Sequence, residues 1–395
     1  MDVVIVGASL AGAHTALQLR GLGFEGRVTL VGAEQHLPYE RPGLSKGYLT
    51  GAVQLDGLLI RPQAGYDELG IELRLGTRAT GVDLTGRRLL LEGGETLAYD
   101  SLVIATGSAN LRPPIAGIDL AGVHQLRTVD DAERLRVAAA AASRVVVIGT
   151  GFIGCEIAGT LRSLALEVTA VDALPGPMWN VLGPRLSGIV RSWHEEHGVR
   201  VLGDVGVASI EGDDSVRAVR LVDNTVLDAD LVVVGVGARP ALEWLGDADI
   251  PLAAGGIAVD DGGRSTAQGV FAVGDVAAVH DGSQHRRTEH YSSAIAQAAR
   301  VAAAVLDEPL PAAKVGTFWS EQYDHYLQYA GRHAPTDDLV VRPDPFAGFF
   351  VGAGILTAVA TIDNGKDLRR ALRLLGGPVD AAVLADPGVD LRTVA

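Results

Sequence analysis

Two distant segments of the chain share one pattern: Val3-Val4-Ile5-Val6-Gly7-Ala8-Ser9-Leu10-Ala11-Gly12 and Val145-Val146-Val147-Ile148-Gly149-Thr150-Gly151-Phe152-Ile153-Gly154. Each is a β-branched run, then a glycine turn, then a helix-like stretch. A second apolar strand follows each, over 27–31 and 167–171, and leads to an acid, Glu34 or Asp172. This is the βαβ pattern that binds a dinucleotide. A pyrophosphate needs backbone N–H groups at a helix N-terminus, and small residues let the backbone come close. The second turn has all three glycines, Gly149, Gly151 and Gly154, with Phe152 and Ile153 between the last two. The first has Gly7, Ala11 and Gly12, with Ser9 in the middle position. One such turn also reads as a tight strand-to-helix connection. Two in one chain imply two dinucleotides, and a redox enzyme with a tightly held flavin and an exchanging nicotinamide nucleotide explains the pair.

Continuous apolar strands predict parallel sheets covered on both faces. Two more end in glycine turns, at Ala105-Thr106-Gly107 and at Val236-Gly237, and a further one runs into Gly274-Asp275-Val276. A helix is expected near Tyr291 to Leu306. From about Gly316 the glycine turns stop and aromatic residues cluster, which predicts a separate C-terminal α+β domain. The length, 395 residues, suits two or three domains. Glycine supplies 50 residues with no collagen-like period, so it serves turns and close approaches.

The formal charge of −15 argues against a nucleic-acid partner and against docking on an anionic membrane. No run of 18 apolar residues predicts a membrane span. The N-terminus reads as a buried strand rather than a signal peptide, and a cytoplasmic location is expected. Cys155 is the one cysteine, so no intramolecular disulfide or redox dithiol can form. The ten histidines show no metal-ligand spacing, and no metal is expected. His194 and His197, in Trp193-His194-Glu195-Glu196-His197, read as a solvated helix face.

Several further blocks are specific. They are Leu37-Pro38-Tyr39-Glu40-Arg41-Pro42-Gly43-Leu44-Ser45-Lys46, Leu126-Arg127-Thr128, Glu289-His290-Tyr291 and Phe318-Trp319-Ser320-Glu321-Gln322-Tyr323. With the two turns they make the chain resemble, end to end, the FAD-dependent NADH:ferredoxin reductases that serve bacterial haem-thiolate monooxygenases and aromatic-ring dioxygenases. The resemblance implies a glutathione-reductase-like α/β fold: two Rossmann-like dinucleotide-binding domains plus the C-terminal α+β domain. The FAD domain would comprise 1–108 and 239–315, the NAD domain 109–238, and the C-terminal domain 316–395.

The same resemblance implies the site. Arg41 and Arg127 would meet the FAD pyrophosphate. Asp275 would accept from a ribityl hydroxyl, and Glu289, His290 and Tyr291 would line the cofactor. Lys46 and Glu156 would form the pair close to flavin N5, where a cation stabilises added electrons. Glu156 also reads as a helix N-terminal charge. Trp319 would lie at the ring system, with core packing as its other reading. Where the family usually has an aspartate for the adenine ribose, this chain has Ala33, and Glu34 is the candidate replacement. NADH would deliver hydride, and electrons would leave singly for a [2Fe-2S]-type ferredoxin that feeds an oxygenase. Arg286 and Arg287 are candidates for a basic docking patch, as are Arg41 with Lys46 if not wholly buried. An NADH oxidase or small-molecule reductase of the same fold, or a redox-sensing flavoprotein, are the alternatives.

Overall fold

The computed structural model describes residues 1–394. Its contacts divide these into two compact units. One comprises 1–40, 55–109 and 238–316; the other comprises 41–54, 110–237 and 317 onward.

The first unit is built on a five-stranded parallel sheet. Its strand order is Val270–Ala272, Ser101–Ile104, Asp2–Val6, Arg27–Val31, Ile71–Arg74. Every residue of Ser101–Ile104 is buried, as a strand covered on both faces requires. The helices Leu10–Gly21 and Tyr291–Val305 cover one face, where Ala13, Ala16, Leu19, Ala298 and Val301 pack on Val3, Ile5, Val28 and Val103. The other face is closed by Leu89, Leu91, Leu245, Ile257 and Val276 against Val4, Val6, Leu102 and Ile104.

The second unit repeats the plan. Its parallel sheet has the order Arg200–Leu202, Glu167–Val171, Arg144–Ile148, Leu231–Val234, Val123–His124. The same unit holds an antiparallel sheet in the order Thr317–Gln322, His325–Gly331, Ile355–Ile362, Ala347–Gly352, Asp338–Arg342. One side of this sheet shares a core with the helices Phe152–Ser163 and Trp179–Glu196, in which Phe318, Leu327, Tyr329 and Phe350 meet Cys155, Leu182, Leu186 and Trp193. The other side is closed by Leu368, Ala371, Leu384 and Leu391.

The two glycine turns are equivalent bond for bond. Gly7 N–H donates to the Val31 carbonyl and Gly149 N–H to the Val171 carbonyl, both at 2.8 Å. Ala13 N–H reaches back to Ser9 at 2.9 Å and Cys155 N–H to Gly151 at 3.0 Å. Gly7 and Gly149 have φ of +116° and +96°. A Cβ would meet the Ala105 carbonyl oxygen at 2.1 Å in the first turn and that of Gly235 at 2.5 Å in the second. Both positions therefore require glycine on two counts. No helix among the described residues is long and apolar enough to cross a membrane.

Candidate functional site: two dinucleotide turns and a buried ion pair

In the first unit the helix Leu10–Gly21 begins at Ser9 with no acid in its first turn. Its N-terminal N–H groups thus face no carboxylate of that turn. Beyond the neighbouring strand lies Glu34, whose carboxylate accepts from the Tyr39 hydroxyl at 2.5 Å. The Thr106 hydroxyl donates to the Ala241 carbonyl at 2.9 Å and fixes the turn at Gly107. Gly274 packs so close to Ala11 that a Cβ would stand 2.9 Å from the alanine methyl. Its N–H donates to the Gln297 side chain at 2.8 Å. Asp275 accepts from the Ser108 hydroxyl at 3.0 Å, and Val276 is fully buried. Tyr291 donates to the Glu40 carboxylate. Burial and that carboxylate raise the phenol's pKa. His290 is the N-cap residue of its helix, without a side-chain capping bond.

In the second unit the helix Phe152–Ser163 also begins without an acid. Gly151, its N-cap, has φ −69° and ψ −170°, a conformation open to any residue. A Cβ built there meets no atom within 4 Å. The protein itself does not demand glycine at this point. An open space over a helix N-terminus is what a dinucleotide pyrophosphate requires. Ile153, Leu174 and Val236 follow the carboxyl ends of three strands and stay 36 to 43% exposed, an apolar rim suited to flat rings. Asp172 accepts from the Thr150 N–H at 2.6 Å, the Thr150 hydroxyl at 2.8 Å and the Leu174 N–H at 2.9 Å. It therefore pins the second strand to the glycine turn. The residues present suit the two dinucleotides.

Lys46 and Glu156 come together. The ammonium lies 2.6 Å from Glu156 Oε2 and also donates to the Pro42 carbonyl at 3.0 Å. Glu156 is the fifth residue of its helix and 5% exposed, so the reading as a charge on the helix N-terminus fails. Ser45 donates to Oε2 at 2.5 Å and Ser320 to Oε1 at 2.9 Å. Arg41 donates to the Arg127 carbonyl. Trp319 is half-buried in the strand Thr317–Gln322, whose alternate residues Phe318, Ser320 and Gln322 are buried. Its side chain therefore leaves the strand on the face opposite Ser320.

Two expectations fail. His194 is 1% exposed rather than solvated, because Tyr323 covers it, with the phenol oxygen 2.9 Å from Nδ1. Burial lowers its pKa to about 4. Arg286 and Arg287 do not form a free basic patch. Arg286 pairs with Asp281, and Arg287 pairs with Glu289 at 2.7 Å. Among the described residues no group of three or more His, Cys, Asp or Glu could hold a metal.

Two βαβ turns of one design, each on its own parallel sheet, together with a buried Lys–Glu pair and no second thiol, define a pyridine-nucleotide flavoprotein reductase. Residues 1–298 match the pyridine nucleotide–disulphide oxidoreductase family and residues 317–395 the reductase C-terminal family. The chain belongs to the former and carries the latter's domain. It is 38% identical to the biphenyl dioxygenase system ferredoxin–NAD(+) reductase component of Paraburkholderia xenovorans, over 99% of this chain and 97% of that one. It is 36% identical to rhodocoxin reductase of Rhodococcus erythropolis, over 99% and 94%. The covalent putidaredoxin reductase–putidaredoxin complex matches at TM-score 0.95 and 32% identity, covering 99% of this chain and 97% of that one.

The Ser45, Ser320 and Gln322 contacts were not anticipated. A signal existed: Ser320 and Gln322 lie two residues apart in the Phe318-Trp319-Ser320 block, a strand spacing that puts both on one face.

Proposed function

We propose that this chain carries electrons from NADH to a [2Fe-2S]-type ferredoxin, which feeds a monooxygenase or ring-hydroxylating dioxygenase. FAD, when bound, supplies the conversion of a two-electron hydride into single electrons. The observation that carries this reading is the state of Cys155. It is the one cysteine of the chain, it is buried, and its thiol donates to the Thr150 carbonyl. Burial beside Glu156 and Asp172 pushes the thiol's pKa up, so it is a poor nucleophile. Electrons must leave for an acceptor outside the chain.

The chain's own residues divide the work. Gly7, Ser9, Ala11, Gly12, Glu34, the Ala105-Thr106-Gly107 turn and Gly274-Asp275-Val276 hold FAD, with Arg41 and Arg127 on its phosphates and Glu289-His290-Tyr291 beside it. Gly149, Gly151, Phe152, Ile153, Gly154, Asp172 and Gly237 hold NADH. Lys46, oriented by Glu156, sets a positive charge where electrons arrive, and Trp319 offers a flat face for the nicotinamide. The domains are 1–108 with 239–315 for FAD, 109–238 for NAD, and 316–395 at the C-terminus. The use of NADH supports a cytoplasmic location.

Gently purified protein is expected to be yellow, with about one FAD per chain, and to reduce a [2Fe-2S] ferredoxin at the expense of NADH. FMN, absent flavin, or NADH oxidation by oxygen that ignores added ferredoxin would overturn the reading.

A further inference from the structure

We propose that Ser320 and Gln322 are positioning residues for the Lys46–Glu156 pair, joined in a one-way chain of hydrogen-bond donors that ends on Glu156. The inference rests on the reading of Lys46 as the cation beside bound FAD.

Two hydrogen bonds build the chain. The Ser320 hydroxyl is 2.9 Å from Glu156 Oε1. The Gln322 amide nitrogen donates to that hydroxyl at 3.0 Å. The far end of the amide, Gln322 Oε1, is buried without a hydrogen-bond partner. Ser320, already accepting from Gln322, has its one hydrogen left for Glu156.

The direction is fixed at the carboxylate end. Turning the Gln322 amide over would make Ser320 donate to it and would leave Glu156 Oε1 without that donor. Ser320, Gln322 and Glu156 are 0%, 2% and 5% exposed, so water does not readily replace the lost bond. Glu156 thus receives Ser320 on one oxygen and both Ser45 and Lys46 on the other. Each bond in such a chain polarises the next. The more of the Glu156 charge the chain takes up, the less of the Lys46 charge is cancelled. Lys46 is held in place by the same carboxylate and by the Pro42 carbonyl.

The test is Ser320→Ala, a small truncation. FAD content should hold. The ratio of reduced to oxidised flavin at a fixed applied potential should fall about tenfold, the effect of one hydrogen bond to a charged group. For a two-electron couple this is a downward shift of about 30 mV. The kcat with NADH should fall while KM for NADH holds, and Ser320→Thr should restore both potential and kcat. Gln322→Met should shift the potential in the same direction. The double variant should shift it no further than Ser320→Ala alone, because both break one chain. If Gln322→Met fails to fold, Ser320→Ala decides. Full FAD with an unchanged potential in Ser320→Ala, or additive shifts in the double variant, would overturn the chain. A wild-type protein without FAD would instead overturn the functional reading, and this inference with it.

Discussion

Asp172 shows how one side chain can serve the fold and set a preference for a ligand. Its three hydrogen bonds, from both donors of Thr150 and from Leu174, hold the carboxylate at the end of its strand. A carboxylate at that place in a βαβ unit suits ribose hydroxyls, and it would meet a 2′-phosphate as a fixed like charge. At about 4 Å and an effective dielectric near 20 the repulsion is at most roughly 4 kcal/mol, and solvent reduces it. The following residues, Ala173-Leu174-Pro175-Gly176-Pro177, include no arginine to receive a phosphate. We therefore expect kcat/KM to favour NADH over NADPH by about 10- to 100-fold, and Asp172→Asn to narrow the gap. Equal values for the wild type would remove this role from Asp172. At the same scale, sequence alone pointed to Lys46 and Glu156 through family blocks, but not to the serines that complete the pair. A serine carries too little pattern to announce its partner.

The helix Trp179–Glu196 is where an element's sequence misled. Gly183, at φ +70°, and Pro184 break it after its first turn. Its end, Trp193-His194-Glu195-Glu196-His197, looks polar all round, yet Trp193 and His194 are buried. Helical periodicity sees the spacing of residues along one element; it does not see Tyr323, which folds back from far along the chain. Burial has a consequence for stability. The His194 pKa falls from 6.5 to about 4, chiefly by desolvation, with His197 adding to the lowering and Gln322 opposing it. Above pH 6.5 the ring is neutral folded and unfolded, and this group makes no difference. Below pH 6.5 the unfolded chain takes up a proton that the folded one refuses, so stability is lost as pH falls toward 4. The loss reaches about 3 kcal/mol at most. Denaturant unfolding across this range should show the decline in the wild type and lose that part of it in His194→Gln. Parallel curves for the two would show that His194 does not titrate this way.

For the whole molecule, the C-terminal segment is more than an appended domain. One face of its antiparallel sheet supplies Phe318, Leu327, Tyr329 and Phe350 to the core that also buries Met178, Leu182, Leu186, Val190 and Trp193. Each large apolar side chain so buried is worth about 1.5 to 3 kcal/mol. A chain ending at Gly316 would leave that core half built. We expect it to aggregate, or to melt far below the full-length protein. A soluble, FAD-loaded 1–316 fragment with the full-length Tm would refute this.

The sequence by itself determined the two βαβ units. Strands 27–31 and 167–171 were readable to the residue because β-branched runs are local signals, and glycines bound the first of them. It also determined that the chain lacks a dithiol, since that is a matter of counting. The tertiary structure alone decided what encloses Glu156, why His194 is buried, and that Arg286 and Arg287 are already ion-paired. The reason is physical. Backbone conformation follows from neighbours in sequence, whereas the environment of a charge is set by groups that meet it only after folding, as Ser320 meets Glu156 from 164 positions away.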